Sequence, residues 1–138
     1  MTIVYAYVCA DLIHEGHIIH LENAKKLGEK LIVGVLTDEA VMEKKQKPII
    51  SFRERLKIVQ SLKCVDAAIP QPEYSPLSNI KALQPDIVME SASHLGYDYV
   101  EEISKISKAR IIMMPYYPEQ SSTAIKRKIL QEWNSSLA

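Results

Sequence analysis

Short apolar runs alternate along this chain with segments in which apolar residues recur every three or four positions. The runs are IVYAYV (3–8), KLIVGVLT (30–37), DAAIP (66–70), DIVM (86–89) and RIIMMP (110–115). Continuous apolar runs of this length are typical of parallel strands that are buried on both faces. Because helical segments separate them, the pattern predicts an α/β fold in which an open, parallel five-stranded sheet carries helices on both faces.

The segments between the strands contain residues that start and stop helices. The first helix is predicted to begin at Glu15 or Gly16, to present one apolar face and to end at Gly28 as its C′ residue. The other predicted helices run from Thr37 or Asp38 to Met42, over 51–62 behind the capping box of Ser51 and Glu54, over 76–83, over 97–107, and from Ser121 or Ser122 onward, with residues 134–138 expected to fray.

Composition adds limits on class and partners. The 138 residues, of which 47% are hydrophobic, fit a single domain, 1–138. Lys and Arg number 17, as do Asp and Glu, so no overall charge favours nucleic acid or a membrane surface as partner. No apolar run approaches the ~20 residues of a membrane span and no signal peptide is recognised, so we expect a cytoplasmic protein. Cys9 and Cys64 lack the spacing of metal ligands.

The stretch CADLIHEGHIIH (9–20) follows the first strand and enters the first helix. In open parallel sheets ligands bind at the carboxyl ends of the strands, and a helix amino terminus favours phosphate. His14 and His17, three residues apart, can face one ligand, and Gly16 lets that ligand approach closely. Plain capping or surface histidines and a zinc site are the alternatives. His20 lies one turn further along the helix, and we expect it to be an ordinary helix residue.

Four segments together resemble the small cytidylyltransferases of the nucleotidyltransferase superfamily. They are ADLIHEGHIIHLENAKKLG (10–28), with the family's His-x-Gly-His, LIVGVLTDE (31–39) followed by a lysine-rich loop, RERLKIVQSLKCVD (53–66) and SSTAIKRKI (121–129). The segments come in the family's order and span nearly the whole chain. The segments ADLIH (10–14) and MPYY (114–117) resemble those of the family branch that is fused to phosphoenolpyruvate mutases and acts on phosphonates.

The resemblance implies a Rossmann-like, commonly homodimeric enzyme that transfers CMP from CTP to a small phosphoalcohol or phosphonate. By resemblance, His14, His17 and Lys44 are catalytic, with Lys44 on the acceptor phosphate or the leaving pyrophosphate, and Mg²⁺ bridges the triphosphate. The implied nucleotide-binding residues are Cys9, Ala10, Asp11, Gly16, Arg55, Lys63, Tyr116, Ser121, Ser122 and Thr123.

Three departures from the family pattern keep alternatives open. YVCA (7–10) precedes Asp11, where the family has glycine and a small hydroxyl residue just before the aspartate. ESAS (90–93) stands where relatives have Gly-Asp-Asp-Trp, and Tyr116 stands where many carry a catalytic arginine. The alternatives are an adenylyltransferase that uses ATP, and a nucleotide-binding protein with reduced or no turnover. Tyr74, Lys81 and His94 are candidates for contacts with the acceptor.

Overall fold

The strands and helices follow the order predicted from the sequence. The computed structural model describes residues 1–91, 99–114 and 122–137. Its elements are β1 (Ile3–Val8), α1 (Glu15–Lys25), β2 (Lys30–Leu36), α2 (Asp38–Met42), α3 (Phe52–Gln60), β3 (Ala67–Gln71), α4 (Leu77–Leu83), β4 (Ile87–Ser91), α5 (Val100–Ile106), β5 (Arg110–Met114) and α6 (Ser122–Leu137). Within the described residues, no helix is both long and apolar enough to cross a membrane.

The five strands form one parallel sheet in the order β3-β2-β1-β4-β5, which confirms the predicted Rossmann-like α/β fold. Ile3 lies beside Lys30 in the β1–β2 pair, and Val4 lies beside Ile87 in the β1–β4 pair. The chain winds outward from β1 through β2 to β3 and then returns to the other side of β1. Such a reversal opens a crevice at the carboxyl ends of the two strands that flank it, here β1 and β4.

Apolar side chains of β1 alternate between two cores, one on each face of the sheet. Val4 and Ala6 pack in the core that α1 and α3 cover, with Leu21, Ala24 and Val59. Tyr5 and Tyr7 pack in the opposite core with residues of α2, α4 and α5. A strand buried on both faces explains why its sequence is an unbroken apolar run.

Two glycines mark close approaches to neighbouring strands. A Cβ on Gly34 of β2 would meet the Tyr5 hydroxyl at 2.0 Å, so glycine leaves room for that hydroxyl to bond Gln71. A Cβ on Gly28 would meet Val4 Cγ2 at 2.8 Å and the Thr2 carbonyl oxygen at 2.9 Å. The prediction that Gly28 ends α1 as a C′ residue is wrong, since the helix ends at Lys25 and no described glycine has a positive φ.

The expectation of a frayed tail from residue 134 is also wrong, because α6 continues to Leu137. Ser135 Oγ donates to the Gln131 carbonyl and Ser136 Oγ to the Trp133 carbonyl, each at 2.8 Å. No glycine or proline interrupts the segment, so the helix has no residue that would stop it there.

Candidate functional site

A cavity of about 1090 Å³ opens at the carboxyl ends of the strands, where the chain order reverses. Its wall includes the ends of β1, β2, β4 and β5, the first two turns of α1 and the first half of α6. This is the place at which an open parallel sheet holds a ligand.

His14 and His17 form a reciprocal pair at the amino terminus of α1. His14 is the N-cap, with extended backbone, and its Nδ1 accepts a hydrogen bond from the Gly16 amide at 3.0 Å. His17 Nδ1 accepts from the His14 amide at 3.2 Å, and the two ring centroids are 4.1 Å apart. Because each Nδ1 is an acceptor, a neutral ring carries its proton on Nε2. The capping interpretation is therefore correct, and each ring keeps one donor for a ligand.

Both histidines are biased toward the neutral state. Burial lowers the pKa of His14, and burial together with the neighbouring His14 and His20 lowers the pKa of His17 to about 4. At neutral pH the pair therefore offers two fixed Nε2–H donors and no net charge. Positive charge for a phosphate group must come from other side chains.

Asp11 ties the β1–α1 loop to two other parts of the chain. Its buried carboxylate accepts the amides of Ile49 and Ile50, each at 3.0 Å, and forms an ion pair with Lys126 Nζ at 2.7 Å. Burial would raise the pKa of this carboxyl, but the bonds from Lys126, Ile50 and Ile49 hold it below its usual value. Ser122 Oγ also donates to the Asp11 carbonyl. Asp11 thus joins the amino terminus of α6 to the loop that precedes α1.

The loop around Asp11 is held in a strained conformation. Ala10 has φ 63° and Leu12 has φ 54°, in the left-handed region that residues other than glycine seldom adopt. Ala10 is fully buried in the core beneath α1 and is absent from the cavity wall. The predicted nucleotide contact of Ala10 is therefore corrected to a packing role.

Arg55 was predicted to line the site, and the structure places it behind the wall, fully buried. Its Nη1 donates to the carbonyls of Cys9 (2.6 Å) and Leu36 (2.7 Å), its Nε to that of Ile50 (3.0 Å), and its Nη2 to Asp38 Oδ1 (2.7 Å). With these donors engaged, Arg55 connects the loops that follow β1 and β2 and holds their positions.

The lysine assignments also change. Lys63 lies in the turn before β3, at the amino end of that strand and away from the cavity, which lies at the carboxyl ends. Lys44 follows α2 and is not part of the wall, whereas its neighbour Lys45 is. The periodicity of the loop could not decide which lysine turns inward, because that depends on how the loop packs.

Several other predicted residues do meet in the cavity. The predicted site residues on its wall are Cys9, Asp11, His14, Gly16, His17, Ser122 and Thr123, and the acceptor candidate Tyr74 lies there too. Lys81 is not on the wall. Tyr116, Ser121 and His94 lie outside the described residues.

The ESAS segment places a buried carboxylate at the end of β4. Glu90 is 4% exposed and accepts the Tyr7 hydroxyl at 2.8 Å and 3.1 Å on its two oxygens. Burial and then Glu90 raise the pKa of Tyr7, so its hydroxyl stays protonated and donates. Ser91 lies on the cavity wall, and residues 92 and 93 lie outside the described residues.

The sequence interpretation missed polar residues of the wall on both helices. His20 was expected to lie away from the site, but it and Asn23 line the cavity on α1, as do Lys126 and Arg127 on α6. The wall follows both helices for two turns, so it includes more than their first residues. The sequence did contain an indication of this, since His20 and Asn23 lie four and seven residues after Gly16 and therefore on the same face of the helix.

In the three described ranges, no group of three or more His, Cys, Asp or Glu side chains is placed to hold a metal ion. The Asp11 carboxylate, which lies on the cavity wall, already bonds Lys126 and two amides.

Comparisons with known proteins agree with this architecture. Residues 5–128 match the cytidylyltransferase-like family. The bifunctional protein HldE of Helicobacter pylori strain P12 is 36% identical over 134 residues, which cover 96% of this chain and 28% of that protein. HldE of Syntrophotalea carbinolica is 31% identical over 139 residues, with the same coverage of both. The chain therefore spans little more than a quarter of the length of these curated relatives.

Solved structures show the same fold. The lipopolysaccharide core biosynthesis protein from Thermoplasma volcanium GSS1 superimposes with a TM-score of 0.78 at 31% identity, covering 85% of this chain and 98% of that one. TmcAL of Thermotoga maritima, solved with alpha-thio ATP, has a TM-score of 0.71 at 13% identity, covering 97% of this chain and 51% of that one, and shows likeness of fold alone.

Proposed function

This chain belongs to the cytidylyltransferase-like family, and from that premise we propose that it transfers a nucleoside monophosphate from a nucleoside triphosphate to a small phosphorylated acceptor, with release of pyrophosphate. Nucleotidyl transfer is the activity that membership of the family supports. The nucleotide, the acceptor and the part played by each residue are the proposal.

The paired histidines carry the proposal. Their Nδ1 atoms are fixed by the helix cap, so the two Nε2–H groups stand ready beside the amino terminus of α1. Donors fixed before the ligand arrives stabilise charge that grows on phosphoryl oxygens, at no cost of reorganisation. We assign His14 and His17 to the oxygens of the α- and β-phosphates.

The chemical step needs alignment more than base catalysis. A phosphate monoester oxygen attacks the α-phosphorus, the bond from that phosphorus to the bridging oxygen breaks, and pyrophosphate leaves with the electron pair. The second pKa of a phosphate monoester is near ~6, so the attacking oxygen is already anionic at neutral pH. The two anions must be brought together, which requires positive charge on the wall.

Lysine and arginine side chains of the wall supply that charge. Lys45 lies in the loop after α2, and Arg127 lies on α6, next to Lys126, whose charge is paired with Asp11. We assign Lys45 to the acceptor phosphate, in place of Lys44, and Arg127 to the nucleotide. Mg²⁺ belongs to the proposal as an ion held by the triphosphate oxygens, where it neutralises charge when bound.

CTP is the proposed nucleotide, because the family is named for cytidylyl transfer, and ATP is the alternative. The relatives reported above do not show the phosphonate branch, so a phosphonate acceptor stays a prediction. The Thermoplasma volcanium relative is described as a lipopolysaccharide core biosynthesis protein. Because the lipopolysaccharide core is built of sugars, we add sugar phosphates to phosphoalcohols and phosphonates as acceptor classes.

The test is pyrophosphate release with Mg²⁺, each of the four nucleoside triphosphates and a panel of those three acceptor classes. We expect turnover with one nucleotide and one class. His14→Asn keeps an N-cap acceptor and His17→Gln keeps the capping bond at N3, but both replace the imidazole and its fixed Nε2–H donor by a primary amide. Each should lower turnover at least about tenfold with the fold retained.

Glu22→Ala, on the exposed face of α1, is the matched control and keeps full turnover. Unchanged turnover in both histidine variants would show that the chemistry lies elsewhere. Tight nucleotide binding without pyrophosphate release from any pair would overturn the transferase proposal in favour of a nucleotide-binding protein without turnover.

A further inference from the structure

The cavity continues along α1 well beyond the paired histidines. Gly16, Ile19, His20 and Asn23 all lie on its wall. Their spacing of three, four and seven residues places them on one helix face. With a rise of about 1.5 Å per residue, this face extends ~10 Å from Gly16 to Asn23. Something longer than a phosphate group can therefore lie along α1.

Helix α6 contributes to the wall of the same cavity. Thr123, Arg127 and Leu130 line it with the same helical spacing. The first turns of α6 are held beside the β1–α1 loop, since Lys126 and Ser122 both bond Asp11. We call the space bounded by these three residues and by Gly16, Ile19, His20 and Asn23 the α1–α6 groove.

The α1–α6 groove differs in chemistry from the rest of the cavity wall. The groove combines the apolar side chains of Ile19 and Leu130 with an amide, an imidazole and a guanidinium. The remaining wall includes Lys45, Gln46, Tyr7 and Tyr74. A cation such as Lys45 suits a phosphorylated acceptor. Apolar walls with a few hydrogen-bonding groups suit a flat heterocycle.

Asn23 has hydrogen-bonding capacity that the fold does not use. Its side chain is half-buried on the groove wall, and its amide makes no hydrogen bond to any residue in the described ranges. An amide offers a donor and an acceptor side by side, which matches the amino group and adjacent ring nitrogen of cytosine or adenine. His20, one turn back toward Gly16, adds a second polar group at the same wall.

We propose that the α1–α6 groove holds the nucleobase of the triphosphate and that His20 and Asn23 are its specificity-determining residues. This rests on the nucleotidyl-transfer function proposed above. The phosphates lie at His14 and His17, the ribose passes Gly16, and the base edge meets Asn23. Arg127, on the α6 part of the wall, is assigned to stack its guanidinium on the base.

Calorimetric titration separates base recognition from phosphate recognition. Wild type, His20→Ala, Asn23→Ala and the exposed-face control Glu22→Ala are each titrated with CTP, ATP, GTP, UTP and inorganic tripolyphosphate. Wild type and control should bind one nucleotide more tightly than the other three and than tripolyphosphate. Asn23→Ala should lower the affinity for that nucleotide about fivefold to tenfold and reduce the preference among bases. The affinity for tripolyphosphate should not change.

Two results would overturn the assignment. One is a base preference that both His20→Ala and Asn23→Ala leave intact. The other is an equal loss of tripolyphosphate affinity, which would make the groove a phosphate site. Each preference is a ratio between nucleotides on one preparation, so partial unfolding does not change it. Base-selective binding that these variants abolish, without turnover on any acceptor, would support the groove while the transferase proposal fails.

Discussion

His14 and His17 combine structural and chemical work in the same ring. One nitrogen of each caps α1, and the other is left for a ligand. The cap requires an unprotonated Nδ1, so proton uptake by either ring breaks a helix-capping bond. Burial and the neighbouring His14 and His20 lower the pKa of His17, which acts in the same direction.

This coupling predicts a pH dependence of stability. His17 has a pKa of about 4 in the folded protein against 6.5 for a free side chain. Between these values the unfolded chain binds a proton that the folded chain does not, so stability is full above 6.5 and falls as the pH drops toward 4. The loss reaches at most about 3 kcal/mol. Urea unfolding from about pH 7.5 to about pH 4.5 measures it.

His17→Gln is the comparison for that series, since glutamine at N3 keeps the capping bond and does not titrate. Its free energy of unfolding should fall less over the same range. Carboxylates with a lowered pKa, such as Asp11, reduce the free energy of unfolding mainly at pH values below 3.8, the ordinary pKa of an aspartate. Parallel curves for wild type and His17→Gln would mean that His17 is not the titrating group.

Arg55 shows how one side chain joins several elements. It extends from α3 beneath the loops that follow β1 and β2, and three carbonyls and Asp38 accept its hydrogen bonds. Its guanidinium carbon lies 5.6 Å from the Phe52 ring centroid. The positions of the Cys9 loop and of α2 relative to each other therefore depend on one buried cation.

Arg55→Met tests that dependence. Methionine fills similar space without donors, so Asp38 and the buried carbonyls lose their partner and the free energy of unfolding should fall by about 3–5 kcal/mol. Arg53→Met, on the exposed face of α3, is the control and should change stability little. Equal urea midpoints for the two variants would mean that the buried bonds contribute no net stability.

At the scale of the whole molecule, the sheet has two covered faces while α6 leaves large apolar side chains in solvent. Ile129 is 52% exposed and Leu130 and Trp133 are each 63% exposed. Exposed apolar side chains that cluster on one helix are typical of a protein contact. The family resemblance implies a homodimer, so the partner that we expect on α6 is a second copy of this chain.

We therefore propose a homodimer whose interface includes α6, and sedimentation equilibrium at micromolar concentration should give twice the monomer mass. Replacing Ile129 and Trp133 by glutamine should shift the equilibrium toward monomer, because the apolar area lost from the interface no longer favours association. Lys128→Gln on the same helix should not. If the wild-type protein sediments as a monomer, the homodimer proposal is wrong. If the variant with both glutamines stays dimeric, the interface lies elsewhere than on α6.

The sequence predicted the elements well because their causes are local. Apolar runs mark β1 to β5, and Ser51 and Thr37 do cap α3 and α2. The prediction that Gly28 ends α1 was wrong, because a glycine that ends a helix and a glycine that permits close packing look alike in sequence. Only the neighbouring Val4 and Thr2 show which cause applies.

The features of the site likewise fall into those that depend on neighbouring residues and those that depend on distant contacts. From the order of the residues we could predict the parallel α/β sheet, the histidine pair at the amino terminus of α1 and the Ser-Thr start of α6, since each depends on residues adjacent in the chain. Three outcomes could be seen only in the folded chain: Arg55 is a buried brace, Lys45 and not Lys44 or Lys63 lies on the cavity wall, and His20 belongs to that wall. These outcomes depend on contacts between distant segments, such as Asp11 with Lys126, and local periodicity contains no information about them.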